Sequence, residues 1–180
     1  MPGPRPSPAR LRRIRLVILD VDGVLTDGGL YYGPDGEWKR FHVHDGLAMS
    51  RAVAAGLRIA VVSSRRSEAV ARRCAELALD EVHQGVGDKL ALYETLRARH
   101  GCRATEVACM GDDLADVPVL RRVGLAVAPA DAVAEVRRIA HWVSRAPGGQ
   151  GAVREVLEAI LRARGAWSGR ETKASSAAPR

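Results

Sequence analysis

The stretch that decides the fold is IRLVILDVDGVLT, residues 14–26. Its first six residues are apolar except for one arginine, a pattern typical of a strand buried on both faces of a parallel sheet. Asp20 and Asp22 follow where that strand should end, and Gly23 comes next. Residues i and i+2 of an extended chain point the same way, so the two carboxylates can converge on one point. A tight turn would explain the same residues, because Asp and Gly are common in turns.

Later segments supply the other groups that phosphoryl transfer needs, namely further carboxylates, a fixed cation and a hydroxyl donor. A second apolar strand, residues 57–62, ends at Ser63. A third, residues 107–110, ends in GDDLAD, residues 111–116. Lys89 begins a helical pattern. Because ligands bind at the carboxyl edge of open parallel sheets, we expect these groups to meet there.

Strand and helix patterns alternate along the chain, which predicts an α/β fold: a Rossmann-like parallel sheet covered by helices on both faces. The turn Gly-Pro-Asp-Gly predicts a β-hairpin over residues 28–41. The folded domain is expected to span residues 14–164, with a disordered basic arm over 1–13 and a disordered tail over 165–180. Strands are expected near residues 15–20, 57–62, 81–83, 107–110, 125–127 and 141–143, and helices near 46–55, 67–78, 89–100, 114–122, 132–139 and 152–163.

Charge and composition exclude several classes of protein. The net charge is +7, but residues 1–15 carry +5 and residues 162–180 carry +4, which leaves −2 on the core. We therefore expect no nucleic-acid partner. No apolar stretch predicts a signal peptide or a membrane span. Three cysteines without Cys-x-x-Cys spacing indicate a reducing compartment and no zinc site, so the protein is expected to be cytoplasmic.

The ordered set of motifs resembles the haloacid dehalogenase superfamily of phosphatases. Within it, the chain is similar to the branch without a cap domain that includes the 3-deoxy-D-manno-octulosonate 8-phosphate (KDO 8-phosphate) phosphatase family. The resemblance covers residues 15–162. Beyond the segments above, it rests on LTDG (25–28), FHVHDG (41–46), QGVGDK (84–89) and GGQGAVRE (148–155).

By position, the resemblance implies a role for each polar residue. Asp20 would be the nucleophile that forms an aspartyl-phosphate, and Asp22 the general acid and base. Mg²⁺ would bind the Asp20 side chain, the Asp22 main-chain carbonyl and Asp112, an all-oxygen ligand set that suits a small hard cation. Ser63 and Lys89 would bind the phosphate.

Two more acidic residues are assigned with an alternative left open. The resemblance implies that Asp113 supports the metal through water and that Asp116 orients Lys89. Gly-Asp-Asp before a helix also describes an N-cap, because acidic residues are favoured in a first helical turn.

Departures from the family pattern concern the substrate. The usual Thr-Gly-Arg is here Ser63-Ser64-Arg65, and His44 stands before Asp45 where relatives often have arginine. By the resemblance, Arg65 matches a position that suits an anionic sugar acid, and Arg65, His44 and Asp45 are the candidate substrate-binding residues. His42 and His44 could instead form a histidine metal pair on one face of an extended segment, although Mg²⁺ prefers oxygen.

The resemblance implies a homotetramer in which subunits partly close one another's sites, and it implies hydrolysis of KDO 8-phosphate for lipopolysaccharide synthesis. Two alternatives stay open. One is a phosphatase for a nonulosonate 9-phosphate such as a sialic acid precursor. The other is a catalytically silent partner domain of a sugar-acid cytidylyltransferase.

Overall fold

The computed structural model describes residues 5–34 and 36–167. Its central sheet has six parallel strands in the order β5-β4-β1-β6-β7-β8, and a separate antiparallel hairpin pairs β2 with β3. The strands are β1 (Leu16–Leu19), β2 (Tyr31–Gly33), β3 (Gly36–Trp38), β4 (Arg58–Ser63), β5 (Glu81–Gln84), β6 (Val107–Met110), β7 (Leu125–Ala128) and β8 (Trp142–Val143). The helices are α1 (Pro8–Arg13), α2 (Val43–Ala54), α3 (Glu68–Glu76), α4 (Lys89–Arg99), α5 (Val117–Leu120), α6 (Ala134–Ile139) and α7 (Ala152–Ala163).

Strand β1 shows why the sheet is covered on both faces. All four of its residues are buried. Val17 and Leu19 belong to a core that includes residues of α1, α2, α3 and α7, while Leu16 and Ile18 belong to a second core with residues of α4, α5 and α6. Alternate residues of a strand point to opposite faces, so a continuous apolar run needs helices on both sides. The predicted α/β fold is confirmed.

The N-terminal arm differs from the prediction. Residues 8–13 form helix α1 rather than a disordered segment. Ser7 caps the helix by accepting a hydrogen bond from the Arg10 N–H, and Pro8 occupies the first helical position, where proline is well tolerated. Leu11 is buried in the core. The proline and arginine content predicts disorder, but two of the arginines hold this helix in place: Arg10 donates to the Gly124 carbonyl and Arg12 to the Ala163 carbonyl.

Between β1 and β4, the predicted hairpin and helix are both present with different bounds. The hairpin strands occupy residues 31–33 and 36–38 of the predicted 28–41. Helix α2 starts at Val43, so His42 is its N-cap and His44 lies in its first turn. The two histidines therefore do not share one face of an extended segment, as the sequence had suggested.

The tail is described only as far as Trp167, and the rest of the predicted disordered tail, residues 168–180, lies outside the described residues. Trp167 packs against the core next to α7. The Arg154 guanidinium carbon lies 4.4 Å from the centre of its ring, and that of Arg51 lies 4.9 Å away, both within cation–π range. Ordered structure thus continues past residue 164.

No helix in the described parts of the chain combines the length and the apolar character needed to cross a membrane. The three cysteines are free thiols, and each is buried. Cys74 and Cys109 act as small apolar residues of the two cores, as the sequence predicts.

Candidate active site

The loop after β1 brings the first aspartate to the carboxyl edge of the sheet. The Asp20 N–H donates to the Met110 carbonyl of β6, which continues the parallel ladder by one residue. The Val21 carbonyl then accepts the N–H groups of Val24, Leu25 and Thr26 and closes a tight turn. Gly23 has φ +86°, and a Cβ there would lie 2.1 Å from Oδ2 of Asp112. Glycine is therefore required both by the turn and by the carboxylate pressed against it.

The loop before α7 supports this turn from the other side. The Gly149 N–H donates to the Val24 carbonyl over 2.9 Å. A Cβ on Gly148 would lie 1.8 Å from the Gly23 carbonyl oxygen, so only glycine permits this approach. The Gly-Gly-Gln-Gly motif thus holds the turn that carries Asp20 and Asp22.

Lys89 joins two of the predicted site residues. Its Nζ lies 2.8 Å from Oδ1 of Asp20 and 2.7 Å from Oδ1 of Asp116. Asp88 positions the lysine by capping α4, since its side chain accepts the Ala91 N–H. Burial opposes the charge on Lys89, but the two carboxylates outweigh it and raise the pKa of Lys89 above its usual value.

Asp116 has a second set of contacts. Its other oxygen, Oδ2, accepts the N–H groups of Asp112 and Asp113 at 3.0 and 3.3 Å. The side chain is 3% exposed. Asp113 is itself exposed and caps the short 3-10 turn Leu114–Asp116 by accepting the Leu114 N–H. The structure therefore contains a feature that corresponds to each of the two interpretations of the acidic run. Asp116 contacts Lys89, and Asp113 is an N-cap.

Three carboxylates form a cluster that could hold a metal ion. Asp20, Asp112 and Asp116 each offer an oxygen within 4.8 Å of the others. Burial and the negative charge of Asp116 raise the pKa of Asp20 to about 6. Burial and the charges of Asp20 and Asp116 raise the pKa of Asp112 to about 7. The protein thus concentrates negative charge in a place where water does not fully solvate it.

Asp112 shows that this cluster fits a cation. Its Oδ1 is buried and has no hydrogen-bond partner among the described residues. A buried carboxylate oxygen without a partner is costly unless something positive faces it. Asp116 already accepts Lys89 and two N–H groups, which leaves Asp20 and Asp112 as the side chains available to a metal. An all-oxygen set of this kind suits Mg²⁺.

Ser63 and Arg65 lie at the end of β4. The Ser63 hydroxyl is buried and accepts the Arg65 N–H over 3.1 Å. Arg65 Nη2 lies 2.7 Å from Oε1 of Glu37 on the hairpin, and its Nε lies 3.8 Å from Oδ2 of Asp22. The guanidinium therefore stands beside the second aspartate of the site, held by a hairpin carboxylate.

Lys39 is a site residue that the sequence analysis missed. It follows β3, and its Nζ lies 2.5 Å from Oδ1 of Asp22 and 3.4 Å from Oε1 of Glu37. Its side chain is 1% exposed. The sequence offers only a weak indication of this role. Glu37 and Lys39 lie on either side of Trp38 in a segment that reads as extended, so the two charged side chains share one face. Nothing in that pattern says which face meets the site.

His44 and Asp45, the other two candidate substrate-binding residues, lie in the first turn of α2. His44 is exposed, and its ring centre lies 4.9 Å from that of His42. Asp45 is buried and caps α7, since it accepts the N–H groups of Arg154 and Gly151 at 2.6 and 3.2 Å. Burial raises the pKa of Asp45. These contacts give Asp45 a structural role as a cap of α7.

The sequence is similar to those of known proteins over most of its length. Residues 79–157 match the haloacid dehalogenase-like hydrolase family. The chain is 42% identical over 158 residues to the KDO 8-phosphate phosphatase of Escherichia coli K12, which covers 87% of this chain and 84% of that protein. It is 43% identical over 153 residues to the corresponding phosphatase of Yersinia pestis, with 84% and 82% covered.

Solved structures agree. The Yersinia pestis phosphatase has a TM-score of 0.87 at 42% identity, with 90% of this chain and 88% of that chain covered. The KDO 8-phosphate phosphatase of Moraxella catarrhalis, solved with a magnesium ion, a phosphate ion and KDO, has a TM-score of 0.84 at 34% identity, with 88% and 91% covered. With these likenesses added to the site geometry, the chain belongs to the haloacid dehalogenase-like hydrolases, in the family of the 3-deoxy-D-manno-octulosonate 8-phosphate phosphatases.

Proposed function

We propose that this protein is a Mg²⁺-dependent phosphomonoesterase that hydrolyses a sugar-acid phosphate, KDO 8-phosphate, to KDO and phosphate. The observation that carries the proposal is the contact of Lys89 with both Asp20 and Asp116, beside a buried Asp112 oxygen that has no hydrogen-bond partner in the described part of the chain. Relatives that share this sequence act on KDO 8-phosphate, by their names, and one was solved with magnesium, phosphate and KDO.

In the first half-reaction, a carboxylate oxygen of Asp20 attacks phosphorus while the bond from phosphorus to the sugar oxygen breaks. The proton that the sugar oxygen needs comes from Asp22, two residues further along the same turn. The nearness of Lys89 to Asp20 supports a role in balancing the charge of the transferring phosphoryl group. The Ser63 hydroxyl can donate a hydrogen bond to a phosphoryl oxygen.

In the second half-reaction, water attacks the phosphorus of the aspartyl-phosphate. Asp22, now ionised, accepts the proton of that water, phosphate leaves, and the Asp20 carboxylate is restored. The same carboxyl group thus acts first as acid and then as base. This sequence of steps needs one nucleophile and one proton carrier on the same loop, which is the arrangement of residues 20–22.

Asp20, Asp112 and the Asp22 main-chain carbonyl are the groups that would hold Mg²⁺. The ion would neutralise the carboxylates and the substrate phosphate, which otherwise repel one another. The chain's own contribution is to keep the Asp112 carboxylate in place, by packing it against Gly23 and by fixing its backbone through Asp116.

Substrate choice is assigned to Arg65. Its guanidinium lies 3.8 Å from Asp22, the proposed proton donor, and it can pair with the carboxylate of a sugar acid. His44, exposed at the start of α2, is a second candidate for that carboxylate when protonated.

The protein is further proposed to be a cytoplasmic homotetramer. Its hairpin exposes large aromatic side chains: Tyr31 is 44% exposed, Tyr32 72% and Trp38 57%. Exposed aromatic residues clustered on a small, two-stranded hairpin are typical of a surface that other subunits cover. Light scattering coupled to size-exclusion chromatography should give four times the monomer mass, and a monomer would contradict the assembly.

The proposed activity is tested by measuring phosphate release with Mg²⁺ from KDO 8-phosphate, a nonulosonate 9-phosphate and simple hexose phosphates. KDO 8-phosphate should have the highest kcat/KM, and EDTA should abolish turnover. Asp20→Asn is the matched control for contaminating phosphatases. Faster turnover of the nonulosonate would reassign the substrate, and no release from any phosphate would favour a silent partner domain.

A further inference from the structure

The hairpin places a buried cation against the second aspartate of the site. Lys39 Nζ lies 2.5 Å from Oδ1 of Asp22, and its side chain is 1% exposed, against 23% for Asp22. Taking an ammonium group out of water is costly unless it is paired. The ammonium faces two carboxylates, Asp22 and Glu37, so the ion pair satisfies the buried charge. An apolar residue would nonetheless fill this space without the cost of desolvation.

The two carboxylate oxygens of Asp22 differ in their contacts. Oδ1 accepts a hydrogen bond from Lys39, whereas Oδ2 accepts no hydrogen bond from the described residues, and Arg65 Nε lies 3.8 Å from it. A proton carrier works only when its oxygen is held within hydrogen-bond reach of the reacting atom. A cation that holds Oδ1 leaves Oδ2 available for that transfer and fixes the plane of the carboxylate.

We propose that Lys39 is a positioning residue for the leaving-group reaction: it holds Asp22 through Oδ1 so that Oδ2 delivers the proton to the departing oxygen. This inference rests on the proposed phosphatase function. Lys39 touches Asp22 rather than substrate, and it comes from the hairpin, so the hairpin contributes to proton transfer in its own subunit. The competing explanation is that the ion pair only anchors the hairpin.

The two explanations predict different dependence on the leaving group. In a series from p-nitrophenyl phosphate to phenyl phosphate, the departing phenol becomes more basic and needs a proton more. The value of kcat/KM reports every step up to departure of that group. A positioning role for Lys39 should therefore appear as a steeper fall of kcat/KM along the series, whereas a damaged fold should lower all members alike.

The experiment compares Lys39→Met, Lys39→Gln and Lys39→Arg with wild type on this series, each with Mg²⁺. Lys39→Met should lower kcat/KM for phenyl phosphate by about 10²-fold and for p-nitrophenyl phosphate much less. Lys39→Gln, which keeps a polar group, should show the same steeper fall of kcat/KM along the series, and it replaces the methionine variant if that variant is insoluble. Lys39→Arg should recover part of the loss. Arg40→Met, which removes the neighbouring and 61% exposed cation, should leave the slope unchanged.

A double-mutant cycle with Asp22→Asn completes the test. If Lys39 acts through Asp22, adding Lys39→Met to Asp22→Asn should cause no further loss on phenyl phosphate. Equal losses along the series, additive losses in the cycle, or wild-type kinetics in Lys39→Met would each overturn the proposal. A wild-type protein that hydrolyses none of the aryl or sugar phosphates would instead overturn the proposed function, and the positioning role with it.

Discussion

The site contains two nearly buried lysines that are built in different ways. Lys89 is the first residue of α4, and it contacts Asp20 and Asp116, which follow two neighbouring strands of the central sheet. Lys39 follows the hairpin and contacts Asp22 and Glu37. One lysine thus belongs to the edge of the parallel sheet, and the other to the segment between β1 and β4. We infer that the sheet edge serves the phosphoryl group and that the hairpin serves the leaving group.

Among the substitutions that test this comparison, replacement of Lys89 should lower activity the most. Lys89→Met should lower kcat by about 10²–10³-fold on every phosphate monoester, regardless of the leaving group, because it removes a cation from the transferring group itself. Arg72→Met, which removes a cation whose side chain is 85% exposed on α3, is the control. A loss of kcat confined to substrates with poor leaving groups would show that Lys89 acts on the leaving group, contrary to the role inferred for the sheet edge.

Replacing Asp112 tests the metal on the sheet-edge side. Asp112→Asn keeps the shape but removes a charge, so the Mg²⁺ concentration for half-maximal activity should rise about 10-fold or more. Mg²⁺ should also raise the melting temperature of the wild type and do so less in the variant. Asp80→Asn, an exposed carboxylate, should respond as wild type does. An unchanged Mg²⁺ dependence in Asp112→Asn would remove Asp112 from the ligand set.

Asp116→Asn should affect both activity and stability. Its carboxylate joins Lys89 to the N–H groups of Asp112 and Asp113, and an amide cannot accept on both sides. A cost of about 1–3 kcal/mol in the free energy of unfolding is expected from the buried groups left unpaired. Urea denaturation measures this cost, and a variant as stable as wild type would show that the network is not needed for folding.

Glu37→Gln should have the smallest effect on activity, and it tests the role of the hairpin contacts. Glu37 contacts both Arg65 and Lys39, but Lys39 keeps its closer partner, Asp22, without it. We expect kcat to stay within a few-fold of wild type while KM for the sugar acid changes, since Arg65 loses the carboxylate that holds it. Equal changes of kcat on all substrates would show that Glu37 acts on the chemistry instead.

The sequence predicts the sheet-edge half of the site well and the hairpin half poorly. Asp20, Lys89 and Asp112 each follow an apolar strand or open a helix, so local pattern and topology together bring them to one edge. Lys39 directly follows a short strand with no apolar periodicity, and its partner depends on how the hairpin docks. The capping role of Asp45 could not be predicted either, because the N–H groups that it accepts belong to Gly151 and Arg154, more than a hundred residues away.

Helix α1 was missed for a related reason. Composition describes an average, and the arginine and proline content of residues 1–13 outweighed a local cap at Ser7 and a single apolar residue, Leu11. Its docking depends on contact with the distant α7, which no local pattern in residues 1–13 reports. The backbone path is therefore predictable where the chain buries long apolar runs, and it is not where a short segment is held by a few contacts with distant residues, as Arg10 is by Gly124 and Arg12 by Ala163.

The most direct test of the central claim is to trap the phosphorylated enzyme. Wild-type protein in excess over substrate is mixed with KDO 8-phosphate and Mg²⁺, quenched in acid during the first turnover and treated with borohydride, which reduces an acyl phosphate to the alcohol. Mass spectrometry of the peptides should then find homoserine at position 20 and an unchanged Asp22. Reduction at another aspartate, or turnover without any reducible acyl phosphate, would contradict the assignment of Asp20 as the nucleophile.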